Sequence, residues 1–231
     1  MKRSSSLPTS ACRRCFFVFA SLLFAVACSL LVTGCFGLFK PDAVETRRFL
    51  LTPTCESATN TNTPPVALGL GQVKLPAYLK GASIVMRQGS NEIAYLPRAL
   101  WSERLDAGVQ RVLAANLAAL LPADPVRQSA WSQDEVAVGV YVTIEQFEMQ
   151  ASGGAVLVAS WRVVSPGGAR LLKSGRCRIA NGGAHSPGDA AAAVAGMSAL
   201  LDDFSRQLAQ SIRDAVQTTK ESKESGGHKF T

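Results

Sequence analysis

Val136, Val138, Val140, Val142 and Ile144 put a β-branched residue at every second position of residues 136–144. Such side chains are stiff at χ1 and pack well on a pleated surface. A run of period two turns one face toward a core and the other away from it. The chain must therefore build a sheet and cover one side of it. The period slips by one residue at Phe147 and Met149, which predicts a β-bulge. Residues 155–164 and 170–179 read as two further strands around the turn Ser165-Pro166-Gly167-Gly168, so the stretch predicts an antiparallel meander.

Upstream, residues 47–52 read as a first strand, and residues 53–65, rich in Thr, Asn and Pro, as a loop. Residues 66–74 alternate apolar with small or polar side chains, a strand that ends in the turn Leu75-Pro76-Ala77-Tyr78-Leu79. Residues 83–87 and 92–96 flank Gln88-Gly89-Ser90-Asn91, a hairpin signal. Two helices complete the pattern. Leu105, Val109, Val112, Leu113, Leu117, Leu120 and Leu121 share one helical face, and Pro122 stops the run. Asn116 falls in or beside that stripe, either on its rim or with a buried partner. The second helix opens at Ser186-Pro187-Gly188-Asp189, with Ser as N-cap, Pro at N1 and an acid at N3. Its apolar stripe is Met197, Leu201, Phe204, Leu208, Ile212 and Val216. The order implies an α+β domain, a mostly antiparallel sheet with two helices packed on one face.

Not all of the 231 residues belong to that domain. Residues 1–15 are polar and basic and residues 16–32 almost wholly apolar, the order of a secretory signal. The apolar run alone is at the lower limit for a membrane-spanning helix. Leu31-Val32-Thr33-Gly34-Cys35 then resembles the bacterial lipobox, in which small residues admit a peptidase and a Cys supplies the thiol for lipid attachment. Cys35 is therefore expected to be the lipidated N-terminus, and two or three acyl chains there would hold the protein at a membrane essentially permanently. Phe36, rather than Asp, follows it, which favours the outer membrane facing the periplasm. The expected organisation is a signal peptide over 1–34, a lipidated tether over 35–46, the folded domain over 47–219 and a polar, disordered tail over 220–231. Cys12, Cys15 and Cys28 leave with the signal. Cys55 and Cys177 remain, either as a disulfide that an exported compartment permits or as two separate buried thiols.

The formal charge of +7 owes four cations to the signal: without Lys2, Arg3, Arg13 and Arg14, 20 basic residues face 17 acidic ones, a balance of +3. That suits anionic lipid headgroups and does not argue for nucleic acid. His185 and His228 have no partners at metal-ligand spacing, so no metal site is expected. There is no G-x-S-x-G elbow and no Walker motif, and Gly69-Leu70-Gly71 opens no helix that could cradle a phosphate. Glu145 and Glu148 flank the register slip and either face a cleft as a carboxylate pair or lie on a solvated strand face. The expectation is a protein without a cofactor and without catalysis.

Several segments occur in an order that resembles the ABC-type transport auxiliary lipoproteins (PqiC/YmbA-like). They are residues 66–76 (VALGLGQVKLP) with Tyr78-Leu79, then Ile84-Val85-Met86-Arg87, then Trp101-Ser102-Glu103-Arg104-Leu105 leading into a helix that ends Asn116-Leu117-Ala118-Ala119-Leu120-Leu121. The similarity spans about residues 45–215. Leu68 and Gly69 shift the first glycine pattern, Ser102 stands where Ala is common, and Arg104 replaces a frequent Pro. The family brings no catalytic residues to carry over; its one transferable position is the lipidated cysteine, here Cys35. The resemblance implies an accessory lipoprotein that docks an MCE-domain periplasmic protein, fed by an ABC transporter, at the outer membrane, and it is compatible with a homo-oligomer. The alternative is an envelope lipoprotein that regulates or scaffolds an assembly or cell-wall enzyme.

Overall fold

The computed structural model describes residues 45–56, 66–121, 126–182 and 189–227. In chain order these form β1 (Arg47–Phe49), β2 (Leu68–Gly71), a 3-10 turn (Ala77–Leu79), β3 (Ser83–Arg87), β4 (Ile93–Trp101), α1 (Leu105–Leu120), β5 (Arg127–Ser129), β6 (Val138–Gln150), β7 (Ala155–Val164), β8 (Leu171–Asn181) and α2 (Ala190–Gly227). The eight strands share one sheet. The expected alternation sets its middle. Val138, Val140, Val142 and Ile144 of β6 are all buried, whereas Tyr141 and Thr143 between them are exposed. The bulge falls where the period slips, with the β6–β7 register shifting between Ile144 and Gln146.

The meander β6–β7–β8 is antiparallel throughout, and β8 ends the sheet on that side. The other edge of β6 departs from expectation. β2 pairs with it in parallel at Leu68–Leu70, Lys74 bridges to Thr143, and β3 pairs in parallel at Met86 and Arg87. β2 and β3 thus run along one edge of β6 as a single strand interrupted by the 3-10 turn. β1 also pairs in parallel with β4, and β5 with β2. The ladders that carry most residue pairs, β6–β7 and β7–β8, keep the sheet mostly antiparallel.

β4 extends beyond residues 92–96 through Pro97 and Arg98 to Trp101. Proline is tolerated because the β3–β4 ladder is irregular there, with a register shift between Ser83 and Val85, and Arg98 has φ 61°. β5 lies in the segment between α1 and the valine-rich strand, where the sequence predicts no element. Its three residues are all exposed and carry no alternation, so it is a strand only by virtue of its neighbour β2.

α1 ends as its sequence dictates. Leu121, which precedes Pro122, is extended at φ −115° and ψ 142°, and its N–H still closes on the Leu117 carbonyl at 2.9 Å. At the other end Arg104 holds φ −61°, an angle proline would also adopt, so its substitution for the family's Pro leaves the backbone path intact. α2 begins at Ala190, and Asp189 rather than Ser186 caps it in the described residues. Asp189 Oδ1 accepts from Ala191 N–H at 3.0 Å and Ala192 N–H at 3.1 Å. Residues 186–188 lie outside the described residues. The helix continues to Gly227, so its backbone carries the helix past Lys220, where a disordered tail was expected.

α2 lies on β6, β7 and β8, and α1 packs against α2, so both helices and the inner side of the sheet feed one core. At its centre Phe204 meets Trp161 edge-on at 5.7 Å between ring centroids. Phe204 is fully buried, and Phe204→Ala should cost about 3–5 kcal/mol by leaving a cavity among α2, β6 and β7. Denaturant unfolding followed by circular dichroism checks this.

Candidate functional site

Glu148 has no exposed surface although it lies on the side of β6 opposite the helices. Two residues from the interrupted strand satisfy it. Tyr78 of the 3-10 turn donates its hydroxyl to Oε2 at 2.6 Å, and Arg87 at the end of β3 donates Nε to Oε1 in a short, charged contact. Arg87 Nη1 also reaches the Ser90 carbonyl at 3.1 Å. A buried carboxylate is tolerated only when paired and hydrogen-bonded, and this one has both kinds of partner. Burial first, and then the hydrogen bond to Glu148, hold the Tyr78 phenol above its ordinary value; the bond to Glu148 raises Arg87. The L-P-x-Y-L and I-V-x-R segments therefore converge on one carboxylate. Glu145 is separate. It lies on the solvated side, where Arg176 takes it at 2.7 Å, so the two glutamates form no pair.

Asn116 is fully buried and does have partners. Its amide donates to Asp202 Oδ1 at 2.9 Å and Ser205 Oγ at 3.1 Å, which ties α1 to α2. The segment after β1 joins the same lattice. Thr52 N–H donates to Ser198 Oγ at 3.2 Å, and Arg111 Nη2 to the Leu51 carbonyl at 2.9 Å. Arg111 is itself held by Glu103 of the W-S-E-R-L segment at 2.6 Å. Cys55 lies here too. Burial, then a hydrogen bond to Asp202, push its thiol up to about 11. Cys177 sits opposite Ala159 in the β7–β8 ladder, and burial raises it as well. Both cysteines are free thiols in the structure.

The glycines of residues 66–71 serve a surface. A Cβ on Gly69 would lie 2.6 Å from Trp131 Cδ2, and one on Gly71 2.6 Å from Tyr141 Cδ1. Gly139 of β6 approaches Trp131 similarly, at 3.1 Å. The glycines leave two rings flat against the backbone of β2 and β6, 6.1 Å apart and tilted. The Arg162 guanidinium stands 5.9 Å from the Tyr141 ring. Sequence reasoning did not find this cluster, because the segment around Trp131 carries no period of its own; the glycine spacing was its only signal.

Cys35, His185 and His228 lie outside the described residues. Among the described residues no group of three or more His, Cys, Asp or Glu could hold a metal ion, and no helix is long and apolar enough to cross a membrane. The buried polar groups that the sequence motifs bring together brace the fold.

These features define an α+β domain whose motif residues lock strands and helices together. The sequence pattern of the ABC-type transport auxiliary lipoprotein component matches residues 49–209. The chain belongs to that family of bacterial envelope lipoproteins, which are auxiliary components of ABC-type transport. No curated protein matches it. Among solved structures it is similar to protein XCC0632 from Xanthomonas campestris, at 11% identity and a TM-score of 0.64, covering 76% of this chain and 99% of that one. It is also similar to an uncharacterized protein at 20% identity and a TM-score of 0.60, covering 73% and 99%. Both likenesses concern the fold.

Glu148→Ala should cost about 3 kcal/mol, at the low end for a buried pair because Arg87 keeps some contact with water; thermal unfolding reads the loss. Tyr78 is held above its ordinary 10.0, so the folded state keeps this proton more tightly than the unfolded chain does. Its contribution is complete below that value and is lost as pH rises through the folded-state pKa. Above pH 10 the wild type should therefore lose stability more steeply than Tyr78→Phe, measured as denaturant midpoint against pH.

Proposed function

We propose that this chain is the outer-membrane accessory lipoprotein of an MCE-type lipid transport system, docking the periplasmic component to the membrane while an ABC transporter supplies the energy. The single observation that carries the reading is the family match, which spans α1, the first half of α2 and nearly the whole sheet. The lipobox ending at Cys35 supports it from the sequence: a lipid there confines the domain to a surface, and confinement raises the effective concentration of its docking face toward a partner. The side of the sheet turned from the helices, with the Trp131–Tyr141–Arg162 cluster, is a rigid face of the kind that interfaces favour, since Trp, Tyr and Arg are their commonest anchors. Nothing in the proposed role calls for catalysis, a cofactor or nucleic acid.

In crosslinked membranes, affinity capture of the lipidated protein followed by mass spectrometry should recover an MCE-domain protein and its transporter. Recovery of cell-wall or assembly enzymes in their place would overturn the reading in favour of an envelope regulator. Cys35→Ser should move the protein from the membrane to the soluble periplasmic fraction and abolish metabolic labelling with palmitate; retention with label would remove Cys35 as the attachment site.

A further inference from the structure

The β-ladders set side chains in rows on the sheet face turned from the helices. Thr143 lies opposite Ser160 and Ser160 opposite Arg176, while Lys74 bridges Thr143 from the other edge. In the next row Tyr141 lies opposite Arg162, and Arg162 opposite Ser174. Strands stand about 4.8 Å apart, so the backbones at Lys74 and Arg176 are about 14 Å apart with two hydroxyl residues between them. These seven residues line one hollow of about 420 Å³.

Single cations on a strand face are ordinary, but this hollow gathers three with four hydroxyls. Arg176 is compensated by Glu145. Lys74 and Arg162 have no carboxylate partner among the described residues, and Arg162 has only the Tyr141 ring beside it. With Glu145 counted, the site keeps a surplus of two positive charges. Its donors far exceed its acceptors. A carboxylate has two oxygens to offer them, whereas a phosphate group presents more oxygens, and guanidinium and ammonium groups both bind these well. The volume falls within the range of small-molecule sites, and the polar lining suits a charged ligand.

We propose that this hollow is a binding site for a phosphate-bearing group, with Lys74 and Arg162 supplying the uncompensated charge and Thr143, Ser160 and Ser174 donating hydroxyl hydrogen bonds. Arg176 joins when the phosphate displaces Glu145. Two sources share this chemistry, the headgroup of an anionic phospholipid and free phosphate. The site does not depend on the transport reading, since a partner other than an MCE-domain protein would leave it in place.

The test is calorimetric titration of the full-length protein in a non-ionic detergent at fixed ionic strength. The probes are glycerophosphoglycerol, which is a deacylated phospholipid headgroup, and inorganic phosphate. Saturable binding is expected, weakened by about tenfold or more in Lys74→Gln/Arg162→Gln and unchanged in Arg127→Gln, which lies outside the hollow. The substituted side chains are exposed, so unfolding midpoints of the variants should match the wild type. Tighter binding of glycerophosphoglycerol assigns the site to a lipid headgroup; equal or tighter binding of inorganic phosphate assigns it to free phosphate. Absence of saturable binding for both probes overturns the proposal, as does binding that the double variant leaves unchanged. Neither result would alter which proteins are captured with the chain, so this failure and that of the transport reading are told apart.

Discussion

A carboxylate without exposed surface must be met by donors wherever the chain can bring them, and Glu148 sets that demand at the point where β6 loses its neighbour. β2 follows β6 and leaves; the chain turns through Ala77–Leu79, and β3 rejoins farther along. Over that gap the backbone ladder is broken, and Tyr78 and Arg87 close it with side chains. The turn and the returning strand are thereby fixed to the same residue of β6. A neutral, apolar residue at 148 would fill space without specifying which turn and which register return to the strand, whereas the paired carboxylate rewards one arrangement.

Much of this architecture was legible in residues 136–144 and in the two helical stripes, because those segments meet the core directly and burial writes its period into the sequence. The bulge at Glu145 was legible for the same reason. The parallel pairings were not, since a strand of four residues such as β2 shows its faces but not its partner. β5 was invisible, having no buried face of its own. The burial of Glu148 was not legible, because period two assigns a face and not what lies over it. The start of α2 moved to Asp189, a residue that caps as well as Ser. Asn116 stood out in sequence as a polar residue in an apolar stripe, and its partners lie 86 and 89 positions away on α2, beyond any local pattern.

The motif residues share a physical logic. Tyr78 and Arg87 hold the interrupted strand, Glu103 holds Arg111 against the Leu51 carbonyl, and Asn116 couples the helices. The glycines at 69 and 71 clear the floor for two rings. Each secures a contact between elements distant in sequence. A family of accessory components needs this kind of residue: a shape held rigidly, with its surfaces left available to whatever each member serves.

β8 closes one side of the sheet with eleven residues and only β7 beside it. An open strand of that length invites the backbone of another molecule to continue the sheet. Here Lys173, Arg176 and Arg178 project from it at short intervals, and Lys173 is restrained by Asp214 at 3.4 Å. Copies gathered in the plane of a membrane would collide edge to edge far more often than copies diluted in solution. For such a crowd the long charged side chains on both faces of this edge, each held by a neighbour, act as a fender, discouraging sheet-to-sheet fusion while the faces of the domain stay free to meet their intended neighbours.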